Sequence, residues 1–168
     1  MELYYKDQIY SELARLNKKL LQRGLYLRLS VVGGAALIFN GIELISTSDI
    51  DTITTIEDEV MEVIEQCSLD INNEALDFIS NYEDLEFIQD TRSFSNIDIQ
   101  YLCLGGVIAS KMKHTDPYKL QGLRVLLEDE LDVEMEAESI KMYMKNEFGI
   151  FLEDEDIETF LEETDFIF

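Results

Sequence analysis

Two aspartates separated by one residue, Asp49 and Asp51, have the spacing best suited to chemistry in this sequence. Residues 49–54 alternate polar and apolar side chains, which is typical of a strand, and positions i and i+2 of a strand point to the same face. We therefore expect Asp49 and Asp51 to present adjacent carboxylates while Ile50 enters the core. Adjacent carboxylates repel each other unless a cation lies between them, and hard oxygen ligands suit Mg²⁺ or Mn²⁺.

A pair of glycines, Gly33 and Gly34, precedes these aspartates by about fifteen residues and follows a strand predicted over residues 25–32. The letters after them, AALIFN, predict a short helix, so the glycines offer backbone N–H groups where phosphate oxygens bind well. Taken separately, the motifs are also consistent with a plain tight turn and a solvated strand start. Phosphate-binding amides facing two metal-binding carboxylates together outline a phosphoryl or nucleotidyl transfer site.

A two-metal site needs a third carboxylate, and Asp98 is the best candidate for it. It lies in a predicted strand over residues 96–104, in which Asp98 and Gln100 share one face. Beside the strand of Asp49 and Asp51, Asp98 would either ligate a metal or act as the base on an acceptor hydroxyl. Glu86 is the second choice, and an ordinary surface acid on an edge strand is the alternative interpretation of Asp98.

The elements that must position these residues predict an α+β fold. An amphipathic helix is predicted over residues 7–23 and ends at Gly24. Strands are predicted over residues 25–32, 49–54, 85–89 and 96–104. Two further helices are predicted over residues 57–66 and 72–80. From Gly105 onward the pattern is entirely helical, with Asp116 as an N-cap before Pro117. We expect a small mixed sheet with flanking helices over residues 1–127, and an acidic helical extension over residues 128–168 packed on it.

The charge of the chain limits its partners. Its 36 acidic and 13 basic residues give a formal net charge of -23, unevenly spread: +3 over residues 1–30, -12 over residues 31–124 and -14 over residues 125–168. Such a chain repels phosphate backbones and anionic lipid, which disfavours nucleic acid and membrane surfaces as partners. The acidic tail favours a basic protein partner, and the basic N-terminal helix is the one segment that could approach a polyanion.

Composition also excludes several classes of protein. Two cysteines cannot form a multi-disulfide framework, and His114 is the single histidine, so no zinc-ligand cluster is encoded. No apolar run reaches the roughly 20 residues of a membrane span, and the first ten residues lack the pattern of a signal peptide. We expect a cytoplasmic protein.

The motif GGAAL, a glycine, then T-x-D-I-D resembles the polymerase-beta-type nucleotidyltransferase superfamily. It is most similar to a compact bacterial branch that contains minimal nucleotidyltransferases and nucleotidyltransferase-like toxin–antitoxin and abortive-infection proteins. The resemblance covers roughly residues 25–125, and its matching positions are Gly33, Gly34, Ala36, Leu37, Gly41, Thr47, Asp49 and Asp51. The resemblance implies that Lys111 faces the nucleotide phosphates, that Asp116 corresponds to a later acidic position, and that an NTP is the substrate.

Two departures from the family pattern bear on activity. The second glycine is followed by Ala35 where the superfamily often has serine, and Ile45 stands where relatives often have an arginine. The first hypothesis is therefore a Mg²⁺-dependent nucleotidyltransferase that acts on a hydroxyl of a protein or small molecule. The alternative is a weak or inactive nucleotidyltransferase fold that serves as an antitoxin-like partner of a basic protein, such as a cognate toxin. A purely structural acidic helical protein does not explain the order strand, Gly-Gly, helix, strand.

Overall fold

The computed structural model describes residues 3–42, 45–92, 94–113 and 116–165. The chain divides into two compact units, Met1–Leu104 and Gly105–Phe168. The predicted division into a domain over residues 1–127 and an acidic helical extension over residues 128–168 stays a prediction.

The first unit is built on a five-stranded mixed sheet. Its strands are β1 (Leu27–Val32), β2 (Asp49–Thr52), β3 (Asp70–Asn72), β4 (Phe87–Gln89) and β5 (Ile97–Leu102). They lie in the order β3-β2-β1-β5-β4, in which β1 pairs antiparallel with β2 and parallel with β5. The β2–β3 pair is parallel and the β4–β5 pair is antiparallel. The predicted α+β fold with a small mixed sheet and flanking helices is confirmed.

The described part of this unit also contains the α-helices α1 (Lys6–Arg23), α2 (Gly33–Phe39) and α3 (Asp58–Glu65). The buried face of α1 carries apolar residues at helical spacing, namely Ile9, Leu13, Leu16 and Leu20. The helix ends at Gly24, whose left-handed backbone closes the last turn, as the sequence predicts. Asn40 ties the end of α2 to the sheet, since its side-chain amide donates to the carbonyl of Leu102 at 2.9 Å.

The segment after α3 differs from the prediction of a helix over residues 72–80. Its first residues form β3, and Glu74–Tyr82 is an irregular 3-10 segment with non-helical backbone at Phe78. No side chain of the segment is fully buried, and Phe78 and Ile79 are exposed. A short amphipathic helix is stable mainly through the apolar face that it buries, so this sequence lacks the packing that a regular helix would need.

The second unit is helical and acidic, as predicted. Its elements are α4 (Leu104–Met112), α5 (Pro117–Val125), a π-helical turn (Leu126–Glu130), α6 (Ala137–Phe148) and α7 (Asp154–Thr164). The carboxylate of Asp116 accepts a hydrogen bond from the backbone N–H of Tyr118, which caps α5. The guanidinium of Arg124 donates to the backbone carbonyl of Thr164 at 3.0 Å and so joins α5 to the end of α7. Within the described part of the chain, no helix is both long and apolar enough to cross a membrane.

Two glycines of the second unit make a matched test of its packing. A Cβ added at Gly105 would stand 2.7 Å from the Cβ of Phe148, whereas one added at Gly122 would meet nothing within 4 Å. We expect Gly105→Ala to lower the free energy of unfolding by about 1–3 kcal/mol through overpacking. Gly122→Ala lies inside a helix and should raise it by about 0.5–1 kcal/mol. Urea unfolding followed by circular dichroism measures both changes, and equal effects of the two variants would contradict the packing described.

Candidate functional site

The two glycines and the two aspartates meet where β1 ends. In the antiparallel pair of β1 and β2, Val32 is the register partner of Asp51, and Gly33 follows Val32 directly. Gly33 has a φ of +67°, and a Cβ added to it would stand 3.3 Å from Oδ2 of Asp51. Glycine is required here both for the left-handed backbone and for the close approach of the carboxylate. The structure therefore brings together the two motifs that the sequence analysis combined.

Asp49 lies on the same face of β2 as Asp51 and is held by Thr47. The Thr47 hydroxyl donates to the backbone carbonyl of Asp49 at 3.0 Å and lies 3.4 Å from its carboxylate Oδ1. Thr47 is itself fixed by two backbone hydrogen bonds with Tyr4, of 2.8 and 3.0 Å. A Cβ added at Gly34 would come to 3.7 Å from the Thr47 hydroxyl, so this support also borders the glycine turn.

Asn72 on β3, the strand next to β2, lies close to both aspartates. It is the register partner of Asp51, and its amide nitrogen lies 3.5 Å from Oδ2 of Asp49. Its amide oxygen accepts a hydrogen bond of 3.2 Å from the backbone N–H of Glu74. The two contacts fix the orientation of the amide, with its donor group turned toward the aspartates.

The pKa of Tyr82, at the end of the 3-10 segment, is affected by Asp51. Burial of its ring raises the pKa of the Tyr82 phenol, and the negative charge of Asp51 raises it further. The 3-10 segment packs against β2, the strand that carries Asp51.

The arrangement suits a divalent cation that brings further ligands with it. Asp49 and Asp51 are half-exposed and offer carboxylate oxygens, the donors that Mg²⁺ and Mn²⁺ prefer. Among the described residues, no group of three or more acidic, histidine or cysteine side chains is placed to hold a metal by itself. A cation at the pair would complete its coordination shell with water or with phosphate oxygens.

Asp98 is not brought to this pair, contrary to the expected convergence of three carboxylates. Its register partner on β1 is Arg28, four residues before Val32, which is roughly 13 Å along the strand. Its carboxylate lies 3.6 Å from the guanidinium of Arg28 and accepts a hydrogen bond of 2.8 Å from the amide of Gln89. These groups line a separate cavity of about 500 Å³. Asp98 and Gln100 share a face of β5, as predicted. The register of β5 with β1 places Asp98 beside the start of β1, whereas Gly33 follows the end of β1.

The remaining candidates lie elsewhere. Glu86 immediately precedes β4, which is separated from β2 by β1 and β5. Lys111 lies in the last turn of α4 in the second unit, and its contact with nucleotide phosphates stays a prediction. Asp116 acts as the cap of α5, the role that its sequence position before proline indicates. His114 lies outside the described residues.

Asn72 and Tyr82 are site residues that the sequence analysis missed. Asp70-Ile71-Asn72 repeats the alternation of Asp49-Ile50-Asp51, and this similarity was the available signal for Asn72. It was obscured because Asn72 was included in a predicted helix. No local pattern indicates Tyr82, because its position depends on how the irregular segment folds back on β2.

The chain is similar to a known protein family over most of its length. A family model described as "Nucleotidyltransferase of unknown function (DUF6036)" matches residues 9–163, nearly the whole chain. No curated protein and no solved structure matches it. The family match supports a nucleotidyltransferase, and it does not single out the toxin–antitoxin branch.

Replacement of Gly33 tests whether the turn and the aspartates form one site. Gly33→Ala places a methyl group against Asp51, and we expect Mg²⁺-dependent ATP or GTP binding to weaken at least about tenfold. Gly41→Ala is the matched control, because Gly41 also has a positive φ, of +93°, but a Cβ there meets nothing within 4 Å. Equilibrium dialysis with labelled nucleotide measures both variants, and equal losses would show that backbone strain alone is responsible.

Proposed function

Since the chain belongs to this nucleotidyltransferase family, we propose that it transfers a nucleotide from an NTP to an acceptor hydroxyl in a Mg²⁺-dependent reaction. The proposal assigns phosphate binding to the turn of Gly33 and Gly34 and metal binding to Asp49 and Asp51. Lys111, in the second unit, is retained as a proposed phosphate contact from the family resemblance.

The main support for the proposal is the close approach of Gly33 to Asp51. Gly33 adopts a left-handed backbone that other residues rarely adopt, and Oδ2 of Asp51 lies 3.3 Å from where a Cβ on Gly33 would be. The close approach of a bare backbone segment to a metal-binding acid supports a site for a metal-bound phosphate.

The reaction needs little covalent chemistry from the protein. The acceptor oxygen forms a bond to the α-phosphorus of the NTP while the bond from that phosphorus to the oxygen bridging to the β-phosphorus breaks, and pyrophosphate leaves. The acceptor's proton passes to a carboxylate of the pair or to solvent, since Asp98 lies at the other end of the sheet. The residues of the chain act by holding the phosphates of the NTP in the orientation that the acceptor oxygen needs for its attack.

A divalent cation fits the donor set of this site, as the half-exposed carboxylates of Asp49 and Asp51 indicate. When bound there, it would offset the charge that develops on the phosphate oxygens during transfer. Asp49 is oriented for this task by Thr47 and Asn72, which both contact its carboxylate.

The charge of the chain bears on the acceptor. With a net charge of -23, a protein hydroxyl or a small molecule is favoured over DNA or RNA, whose enzymes normally present a basic groove. If the acceptor were nonetheless a nucleic acid, its path would be lined by residues 6–28, with the basic side chains of Lys18, Lys19, Arg23 and Arg28.

A second candidate function is that of a weak or inactive binding module for a basic protein. Residues 125–168 carry a net charge of -14, and the first turn of α7 presents three acids in succession, Asp154, Glu155 and Asp156. Ala35 in place of serine and Ile45 in place of arginine also favour this alternative. The intact pair of Asp49 and Asp51 opposes it.

An incubation with labelled nucleotides separates the two functions. Protein, Mg²⁺ or Mn²⁺, and each NTP labelled at the α-phosphate are mixed with protein and small-molecule acceptors. We expect the wild type to transfer label, and Asp49→Asn/Asp51→Asn to lose about a hundredfold or more of that activity, because the metal loses its charged ligands.

The matched control is Glu62→Gln/Glu65→Gln, which removes the same charge from exposed positions of α3 and should keep full activity. Absence of both transfer and metal-dependent NTP binding in the wild type would contradict the enzyme proposal. Tight binding of a basic protein that persists in the Asp49→Asn/Asp51→Asn variant would then support the second candidate.

A further inference from the structure

A neutral amide, that of Asn72, lies beside Asp49 and Asp51, whereas a two-metal site would need a third carboxylate there. β3 lies beside β2 in parallel register, so that Asp49 pairs with Asp70 and Asp51 pairs with Asn72. Register partners of adjacent strands share a sheet face and lie about 4.8 Å apart. Position 72 is thus opposite Asp51, and its amide nitrogen also lies 3.5 Å from Oδ2 of Asp49.

The contacts of Asn72 show how its amide is used. Its oxygen is engaged by the backbone N–H of Glu74 at 3.2 Å, and its nitrogen lies 3.5 Å from Oδ2 of Asp49. The group turned toward the carboxylates is therefore a hydrogen-bond donor and carries no charge. A donor at this place holds Asp49 in position and partly relieves the repulsion between Asp49 and Asp51.

We infer that Asn72 is a positioning residue that replaces the third carboxylate, so that this site binds a divalent cation together with the phosphates of a nucleotide and only weakly binds the cation alone. The identity of the ligand, a metal-bound nucleotide, rests on the proposed function. The position of Asn72 follows from the strand register and from its two amide contacts.

The charge count explains the preference for a metal–nucleotide complex. Asp49 and Asp51 supply two negative charges, whereas a carboxylate at position 72 would supply a third and would face the same space. Affinity for a hard cation rises with the number of charged oxygen ligands, so the present set leaves coordination to be completed by phosphate oxygens. Asp70, the other acid on this face of β3, is exposed and belongs to no metal-holding group among the described residues.

The experiment compares two neighbouring asparagines by the same chemical change. Binding of Mn²⁺ alone, and of Mn²⁺ with ATP, is measured by electron paramagnetic resonance for wild type, Asn72→Asp and Asn73→Asp. We expect Asn72→Asp to bind Mn²⁺ alone at least about tenfold more tightly than wild type, because it completes a three-carboxylate set. Asn73→Asp adds the same charge one residue away and should leave that affinity within about twofold of wild type. Equal gains in the two variants would overturn the inference.

A second pair of variants covers the possibility that Asn72→Asp does not fold without metal. Asn72→Ala removes the donor to Asp49, and we expect it to weaken binding of Mn²⁺ with ATP by about tenfold to a hundredfold, whereas Asn73→Ala should leave that binding unchanged. An unchanged affinity in Asn72→Ala would also overturn the inference. If the wild type bound no Mn²⁺–ATP at all, the proposed function would fail, while the response of Mn²⁺ alone to Asn72→Asp would still report on the position of Asn72.

Discussion

Two carboxylates on one strand face, those of Asp49 and Asp51, are the constraint on which the candidate site depends, because like charges on neighbouring side chains repel each other. The amide nitrogen of Asn72 lies 3.5 Å from Oδ2 of Asp49, and the Thr47 hydroxyl lies 3.4 Å from Oδ1 of the same carboxylate. Both acids are also partly exposed to water, which lowers the cost of holding two charges on one face.

The register of β1 and β2 holds these groups in place. Thr52 is fully buried, and its hydroxyl accepts a hydrogen bond of 2.9 Å from the backbone N–H of Ser30. Ile50 is also fully buried, so a slip of one residue would bring Ile50 to the polar face and turn the aspartates into the core. The two buried side chains of β2, those of Ile50 and Thr52, therefore determine where its acidic residues point.

The sheet also explains why one expected site residue was misplaced. Asp98 has the alternation of a strand residue and shares a face with Gln100, and Gln100 donates to the hydroxyl of Ser30 in the middle of β1 at 2.6 Å. Alternation predicts the face of a sheet but carries no information about the position along the neighbouring strand. That position follows from the pairing of Arg28 with Asp98, which no local pattern encodes. The short strand β3 was missed for a related reason, since three residues are too few to show a period against a helical pattern that overlaps them.

The α+β class, the extent of α1 and the strand–Gly-Gly–helix–strand order can be predicted from the amino-acid sequence, because each depends on local periodicity and on the conformational freedom of glycine. The shared face of Asp49 and Asp51 can be predicted as well, since side chains of a strand alternate with a period of two residues. The side chain that approaches the pair from a neighbouring strand is visible only in the folded chain, because it depends on the order and register of strands that are separate in sequence. There Asn72 lies opposite Asp51 and contacts Asp49, whereas Asp98 lies opposite Arg28.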